Sequence, residues 1–109
     1  MLDALKTALD ATGYAFALYG WSHAPDGDYG VISCTGANDL EADDNHVEGA
    51  ILASVDYFTR DVSKAPKLAI EAALNVSGVA WVLDSVLFEE ETGFLHWSWD
   101  CEVLDDGED

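Results

Sequence analysis

Val47-Glu48-Gly49-Ala50-Ile51-Leu52-Ala53-Ser54-Val55-Asp56-Tyr57-Phe58-Thr59-Arg60-Asp61 is the run that decides the fold class of this chain. Successive side chains of an extended backbone point to opposite faces, so Val47, Gly49, Ile51, Ala53, Val55 and Tyr57 share one side. Leu52 and Phe58 lie on the other side with Glu48, Ser54 and Asp56. That is a strand with one core face and one partly polar face, stopped by the charged pair Arg60-Asp61. The residues just before it, Asn38 to His46, are polar and turn-rich, with a short strand expected near Leu40 and a turn at Asp43-Asp44-Asn45.

The flanks supply the rest of the sheet and two helices. Leu2, Leu5 and Leu9 recur at helical spacing, and Gly13 stands where a helix end favours a left-handed residue. Tyr14 to Tyr19 reads as an aromatic strand, Trp21 to Asp28 as a Pro/Gly/Asp loop, and Tyr29 to Thr35 as a second strand broken by Gly36. Asp61 to Pro66 is a helix entry with Asp61 or Ser63 as N-cap, since proline is tolerated only in the first turn. Leu68, Ala69, Ala72, Ala73 and Val76 are expected to form that helix's buried stripe, and Gly78 to end it. Val79 to Phe88 and Leu95 to Val103 then form a hairpin about Glu89-Glu90-Glu91-Thr92-Gly93. The last strand alternates cleanly, with Leu95, Trp97, Trp99, Cys101 and Val103 against His96, Ser98, Asp100 and Glu102. The expectation is an α+β fold: an antiparallel or mixed sheet of about five to six strands, with two helices packed on one face. Residues 1–104 form a single domain and residues 105–109 an acidic C-terminal tail.

Charge narrows the function. Twenty-two acids stand against four bases, for a formal net charge of −18, and the bases are Lys6, Arg60, Lys64 and Lys67. Such a field repels nucleic acid and anionic membranes and destabilises the chain by self-repulsion. It is a solubility or salt adaptation, the lining of a passage through which DNA slides, or an imitation of DNA that occupies a DNA-binding enzyme. Cys34 and Cys101 lack a CxxC partner and sit in strand-like runs, where cysteine behaves as a small buried apolar residue, so a reduced cytosolic origin is expected. No secretory signal opens the chain, and no apolar run reaches the ~18 residues of a membrane span.

Catalytic and metal chemistry finds no footing. Asp26-Gly27-Asp28 and Glu41 to Asp44 offer oxygens without the spacing of a calcium loop. His23, His46 and His96 fall in three separate elements without tetrahedral partners. There is no Gly-x-Ser-x-Gly elbow and no Gly-rich phosphate loop, so no catalytic, metal or cofactor-binding residue is assigned and no cofactor is expected. The tryptophans and bases point to contacts instead. Trp97 and Trp99 share a strand face, where core packing is the default and an interface the alternative. Trp21 lacks an obvious core position. Arg60, Lys64 and Lys67 either pair with nearby acids such as Asp61 and Glu71 or meet the acidic edge of another subunit. The interface candidates are Trp21, Asp43, Arg60, Asp61, Lys64 and Lys67.

A set of motifs in order carries a resemblance. It comprises the opening helix ending Thr12-Gly13 before Tyr14-Ala15-Phe16, the strand Tyr29-Gly30-Val31 and the Asn38…Ala42-Asp43 turn. Val55-Asp56-Tyr57-Phe58-Thr59-Arg60-Asp61, the Glu71-Ala72-Ala73-Leu74 helix, Gly78-Val79-Ala80-Trp81 and the Glu89-Glu90-Glu91 hairpin follow. Across nearly its whole length the chain resembles the tail terminator (tail completion) proteins of long-tailed bacteriophages, also described as minor capsid or head–tail joining proteins. It departs from them in carrying fewer Lys and Arg, notably in the second strand and second helix. The resemblance implies a non-enzymatic virion protein at the head–tail neck, assembled in the host bacterial cytoplasm. It implies a homo-oligomeric, typically hexameric ring that caps the tail tube, with the tube protein and a head-completion or connector protein as partners. Genome DNA would pass through the ring without specific binding, and no membrane is involved. The alternatives from other classes are an acidic DNA mimic that inhibits a DNA-binding enzyme and a small binding module of a salt-adapted cell.

Overall fold

The computed structural model describes residues 2–38 and 49–105. In it the decisive run becomes a central strand. The elements in chain order are α1 (Asp3–Asp10), β1 (Phe16–Leu18), β2 (Tyr29–Asn38), β3 (Gly49–Thr59), α2 (Ala65–Ser77), β4 (Ala80–Glu89) and β5 (Phe94–Asp105). The five strands form one sheet in the order β1-β2-β3-β5-β4. β1 runs parallel to β2, and the other neighbours are antiparallel. The fold is therefore α+β with a mixed sheet, as the irregular order of strand and helix patterns predicts. The strand expected near Leu40, its turn and Asp43 lie outside the described residues.

Period-two alternation places the core. Ile51, Ala53, Val55 and Tyr57 of β3 and Trp97, Trp99 and Cys101 of β5 are buried on one face of the sheet. Leu2, Leu5 and Leu9 from the α1 end, Ile70 and Leu74 from α2, and Ile32 and Phe16 pack into the same cluster. Both helices thus cover one face and leave the other open. The register locks the pattern: Val55 faces Ile32 on one side and Trp99 on the other. A slip of one residue would turn every one of these side chains outward.

Three expectations are corrected. The buried stripe of α2 is Pro66, Ile70 and Leu74, with Ala73 partly buried, whereas Leu68 and Val76 are exposed at 58% and 85%. In an Ala-rich helix the rows 66/70/74 and 68/72/76 are both apolar at i,i+4 spacing, and packing turns the row with the larger central residue, Ile70 against Ala72, toward the sheet. The helix begins at Ala65 without a side-chain cap; Asp61 and Ser63 instead accept the N–H groups of Ser63 (2.9 Å) and Ala65 (3.2 Å) in the turn before it. Cys101 is buried but Cys34 is exposed, although it pairs with the buried Ala53 and stands two residues past the buried Ile32. Both thiols are free.

Glycine acts as expected at the end of α2, where Gly78 takes φ 83° and its N–H bonds Asn75 O at 3.2 Å. Gly30 has a different reason. It is paired with Phe16 across the parallel β1–β2 ladder, and a Cβ there would run into the Phe16 ring. Gly30 N–H donates to Ala15 O (2.8 Å), so the missing side chain lets β1 lie against the sheet.

Candidate docking surfaces

The helix-free face is built from the even positions of β3 and β5. Leu52, Ser54, Asp56 and Phe58 alternate with core residues on β3, and Phe94, His96, Ser98, Asp100 and Glu102 do so on β5. At one end Tyr29, Phe58, Phe94 and His96 form an aromatic cluster. Tyr29 stacks on Phe58 (centroids 4.8 Å), Phe58 on His96 (4.1 Å), and Phe94 meets both Tyr29 and Phe58 edge-on. His96 Nε2 lies 2.8 Å from Asp56 Oδ1, and Ser54 Oγ donates to Asp56 Oδ2 at 2.8 Å. Glu89 Oε2 stands 3.7 Å from the other His96 nitrogen. The serine donates to the carboxylate and not to the imidazole, so this row is not arranged as a nucleophile with its base.

Two of the three clustered bases are committed within the chain. The Arg60 guanidinium sits 4.1 Å over the Phe94 ring and donates to the Thr92 and Asp26 carbonyls, both at 3.3 Å. Lys67 pairs with Glu71 at 2.9 Å, and the second Glu71 oxygen accepts the Trp99 indole N–H at 3.0 Å. Lys64 is exposed, as is Asp61, whose carboxyl is held below its usual range by the Ser63 hydroxyl and N–H. Trp21 is partly buried, and its indole N–H donates to Gly30 O at 3.0 Å, which ties its loop to β2.

Several residues act in ways that sequence alone did not show. Asp28, weighed as a calcium ligand, instead accepts the hydroxyl of the buried Thr59 (2.5 Å) and the Arg60 N–H (3.1 Å), closing the loop onto the end of β3. Burial, and after it the Asp28 carboxylate, push the Tyr57 phenol well above its usual range. No group of three or more His, Cys, Asp or Glu side chains is placed to hold a metal ion among the described residues. No helix among them is long and apolar enough to cross a membrane.

Among the described residues two apolar surfaces remain uncovered. One is the outer stripe of α2, which together with Ala8 and Ala11 of α1 lines a groove of about 390 Å³. The other is β4, at the edge of the sheet, where Val82, Val86, Leu87 and Phe88 are 44–60% exposed. The signal for the second was present in the sequence, since Val79 to Phe88 is apolar at nearly every position and not at alternate ones.

No family model matches this chain. No curated protein matches it either. Among solved structures the chain is similar to the sheath/tube terminator, in its extended state, of an extracellular contractile injection system (PVC). The identity is 14% and the TM-score 0.38, with 100% of this chain and 58% of that chain covered. This chain therefore spans less than two thirds of that protein's length.

Proposed function

We propose that this chain is a non-enzymatic structural protein of a phage virion, a tail terminator that forms a ring at the head–tail neck, caps the tail tube and joins it to the head. The observation that carries the reading is the order of its elements. The motifs resembling tail terminator proteins run through nearly the whole sequence, and those among the described residues fall within the elements or at their ends and turns; the Asn38…Ala42-Asp43 turn, beyond Asn38 itself, lies outside them. Thr12-Gly13 closes α1, Tyr29-Gly30-Val31 opens β2, and Val55 to Thr59 ends the central strand. Glu71 to Leu74 lies in α2, and Gly78 to Trp81 turns into β4. Fold alone does not assign function, so the reading rests on the ordered set and not on the architecture.

The charge agrees with that role. No Lys or Arg stands in any of the five strands, while Asp56, Asp84, Glu89, Asp100, Glu102 and Asp105 do. A ring lined by such a sheet offers phosphates no attractive site, so DNA slides past it. Contacts to the next subunit would use exposed groups near the α2 entry, Asp61 and Lys64, with Trp21, Asp43, Arg60 and Lys67 as the further candidates.

Removing the chain from the phage that encodes it, by an early stop codon, is the test. The expected result is tailless heads beside tubes without a uniform end, and in the complemented phage the chain is found at the neck by electron microscopy of purified particles. Intact, infectious particles that lack the chain would overturn the reading. A monomer that competes with duplex DNA for a nuclease would replace it with the DNA-mimic alternative.

A further inference from the structure

We propose that the outer edge of β4 is a docking site for an extended, cationic segment of another protein, which adds to the sheet as its next strand. The sheet has two edges. One is β1, three residues long. The other is β4, ten residues long and, among the described residues, hydrogen-bonded only to β5. Its other side presents a row of unpaired backbone groups, the template on which an added strand forms.

The side chains of β4 suit a neighbour. Pairing places Val82 and Leu87 on the helix-free face, opposite Asp100 and His96 of β5. Val86 and Phe88 lie on the helix side, opposite Trp97 and Leu95. All four are substantially exposed, so the strand is apolar on both faces while only one of its sides is paired. Exposed edges are ordinarily guarded by lysine or proline. β4 has neither; its guard is a register shift between Leu83 and Ser85, where Asp84 stands exposed.

Charge selects the occupant. Asp100 and Glu102 pair with Val82 and Ala80, Asp84 sits mid-strand, and Glu89, Glu90 and Glu91 close the far end. On the open face a depression of about 270 Å³ is floored by Leu52 and Val82 and bordered by Asp100 and Glu102. A strand laid here meets apolar side chains with carboxylates beside them. A second copy would bring a further −18 and set the same carboxylates against these. Like charges across a ladder destabilise it, whereas opposite charges add to it. The segment that fits alternates apolar residues with Lys or Arg. This inference needs only the strand and its charge, and it does not depend on the virion role.

The probe is a short synthetic peptide alternating lysine with valine and threonine. Its controls are the same composition with the lysines in one block, and the same alternation with glutamate for lysine. Binding is followed by fluorescence anisotropy, and the site is located by amide hydrogen exchange. The alternating peptide is expected to saturate and to slow exchange along residues 80–89, with the block peptide at least about ten-fold weaker and the glutamate peptide silent. Asp84→Lys and Leu87→Lys, both surface changes that leave the core intact, are expected to weaken binding by about ten-fold or more. Equal binding of the two lysine peptides, no protection on β4, or no effect of either substitution overturns the proposal. So does light scattering that shows the free protein already paired through β4 with its own copy, with Leu87→Lys restoring the monomer.

Discussion

Replacing Gly30 by alanine is the sharpest test of how the sheet is closed at its β1 edge. The backbone of Gly30 is not left-handed, so alanine costs nothing in dihedral strain, and the whole penalty comes from packing. The new methyl falls on the ring of Phe16, which is 5% exposed and lies tilted against the buried Tyr57 with ring centroids 5.6 Å apart. The ring cannot move toward Tyr57, so β1 must lift from β2. Overpacking of a filled site costs about 1–3 kcal/mol, and the upper half of that range is expected here because the neighbour is a rigid aromatic. Phe16→Ala alone should cost about 3–5 kcal/mol through the cavity it leaves. In the double variant the methyl has no ring to strike and fills part of that cavity. The two losses should then fall short of their sum by about 1–2 kcal/mol. Urea unfolding followed by circular dichroism gives all four corners of the cycle, with midpoints compared at a common slope. A Gly30→Ala loss below about 0.5 kcal/mol, or strict additivity with Phe16→Ala, would refute the close approach.

Trp99→Phe removes the donor to Glu71 and leaves a partly buried carboxylate with Lys67 alone, so a loss of at least about 2 kcal/mol is expected. Trp97→Phe removes an indole N–H that has no hydrogen-bond partner among the described residues, and equilibrium unfolding should show the smaller loss of the two by about 1 kcal/mol or more. Burial, with Asp100 adding to it, pushes the Cys101 thiol up to about 12. A thiol reagent at pH 8 should therefore label one cysteine, Cys34, quickly and the other only as the chain unfolds. Because the folded value lies above the unfolded ~8.5, Cys101 stabilises fully below that pH and loses its contribution as pH rises toward 12; Tyr57 acts in the same direction. Alkaline unfolding of Cys101→Ala should accordingly begin at higher pH relative to its own neutral stability. With −18 on 109 residues, raising NaCl from 0.05 to 0.5 M should raise the thermal midpoint, and a flat or falling midpoint would show that self-repulsion is already compensated.

The parts legible in the sequence are those with a single consistent period. β3 and β5 read directly, because alternate positions carry Ile, Val, Tyr and Trp against Ser, Asp and Glu over ten or more residues. The turn after α2 was legible from Gly78. What was not legible required a choice between equivalent patterns or a knowledge of neighbours. Both rows of α2 are apolar at helical spacing, and it is the packing against the sheet that buries Ile70 and Leu74. The parallel pairing of β1, and the place of β5 between β3 and β4, arise from contacts far apart in sequence. The same holds for the candidate contacts. The sequence left open whether Arg60 and Lys67 pair within the chain or across subunits; Lys67 takes the Glu71 partner the sequence offered, whereas the Phe94 ring under Arg60 comes from a distant strand. Asp28 looked like a loop acid until Thr59 folded onto it. Edge strand β4 carried its signal openly, since an apolar residue at nearly every position is more than one packed face requires.

The position of β5 has a consequence during synthesis. Its residues leave the ribosome after those of the other four strands, yet they lie between β3 and β4 in the sheet. Until Phe94–Asp105 emerges, β3 has a partner on one side only and β4 has none, and Trp97 and Trp99 are missing from the interior. The nascent polypeptide therefore cannot mature piecemeal from its amino end. It waits, with β3 and β4 open to misassociation or to chaperones, and then closes in one late, non-local step.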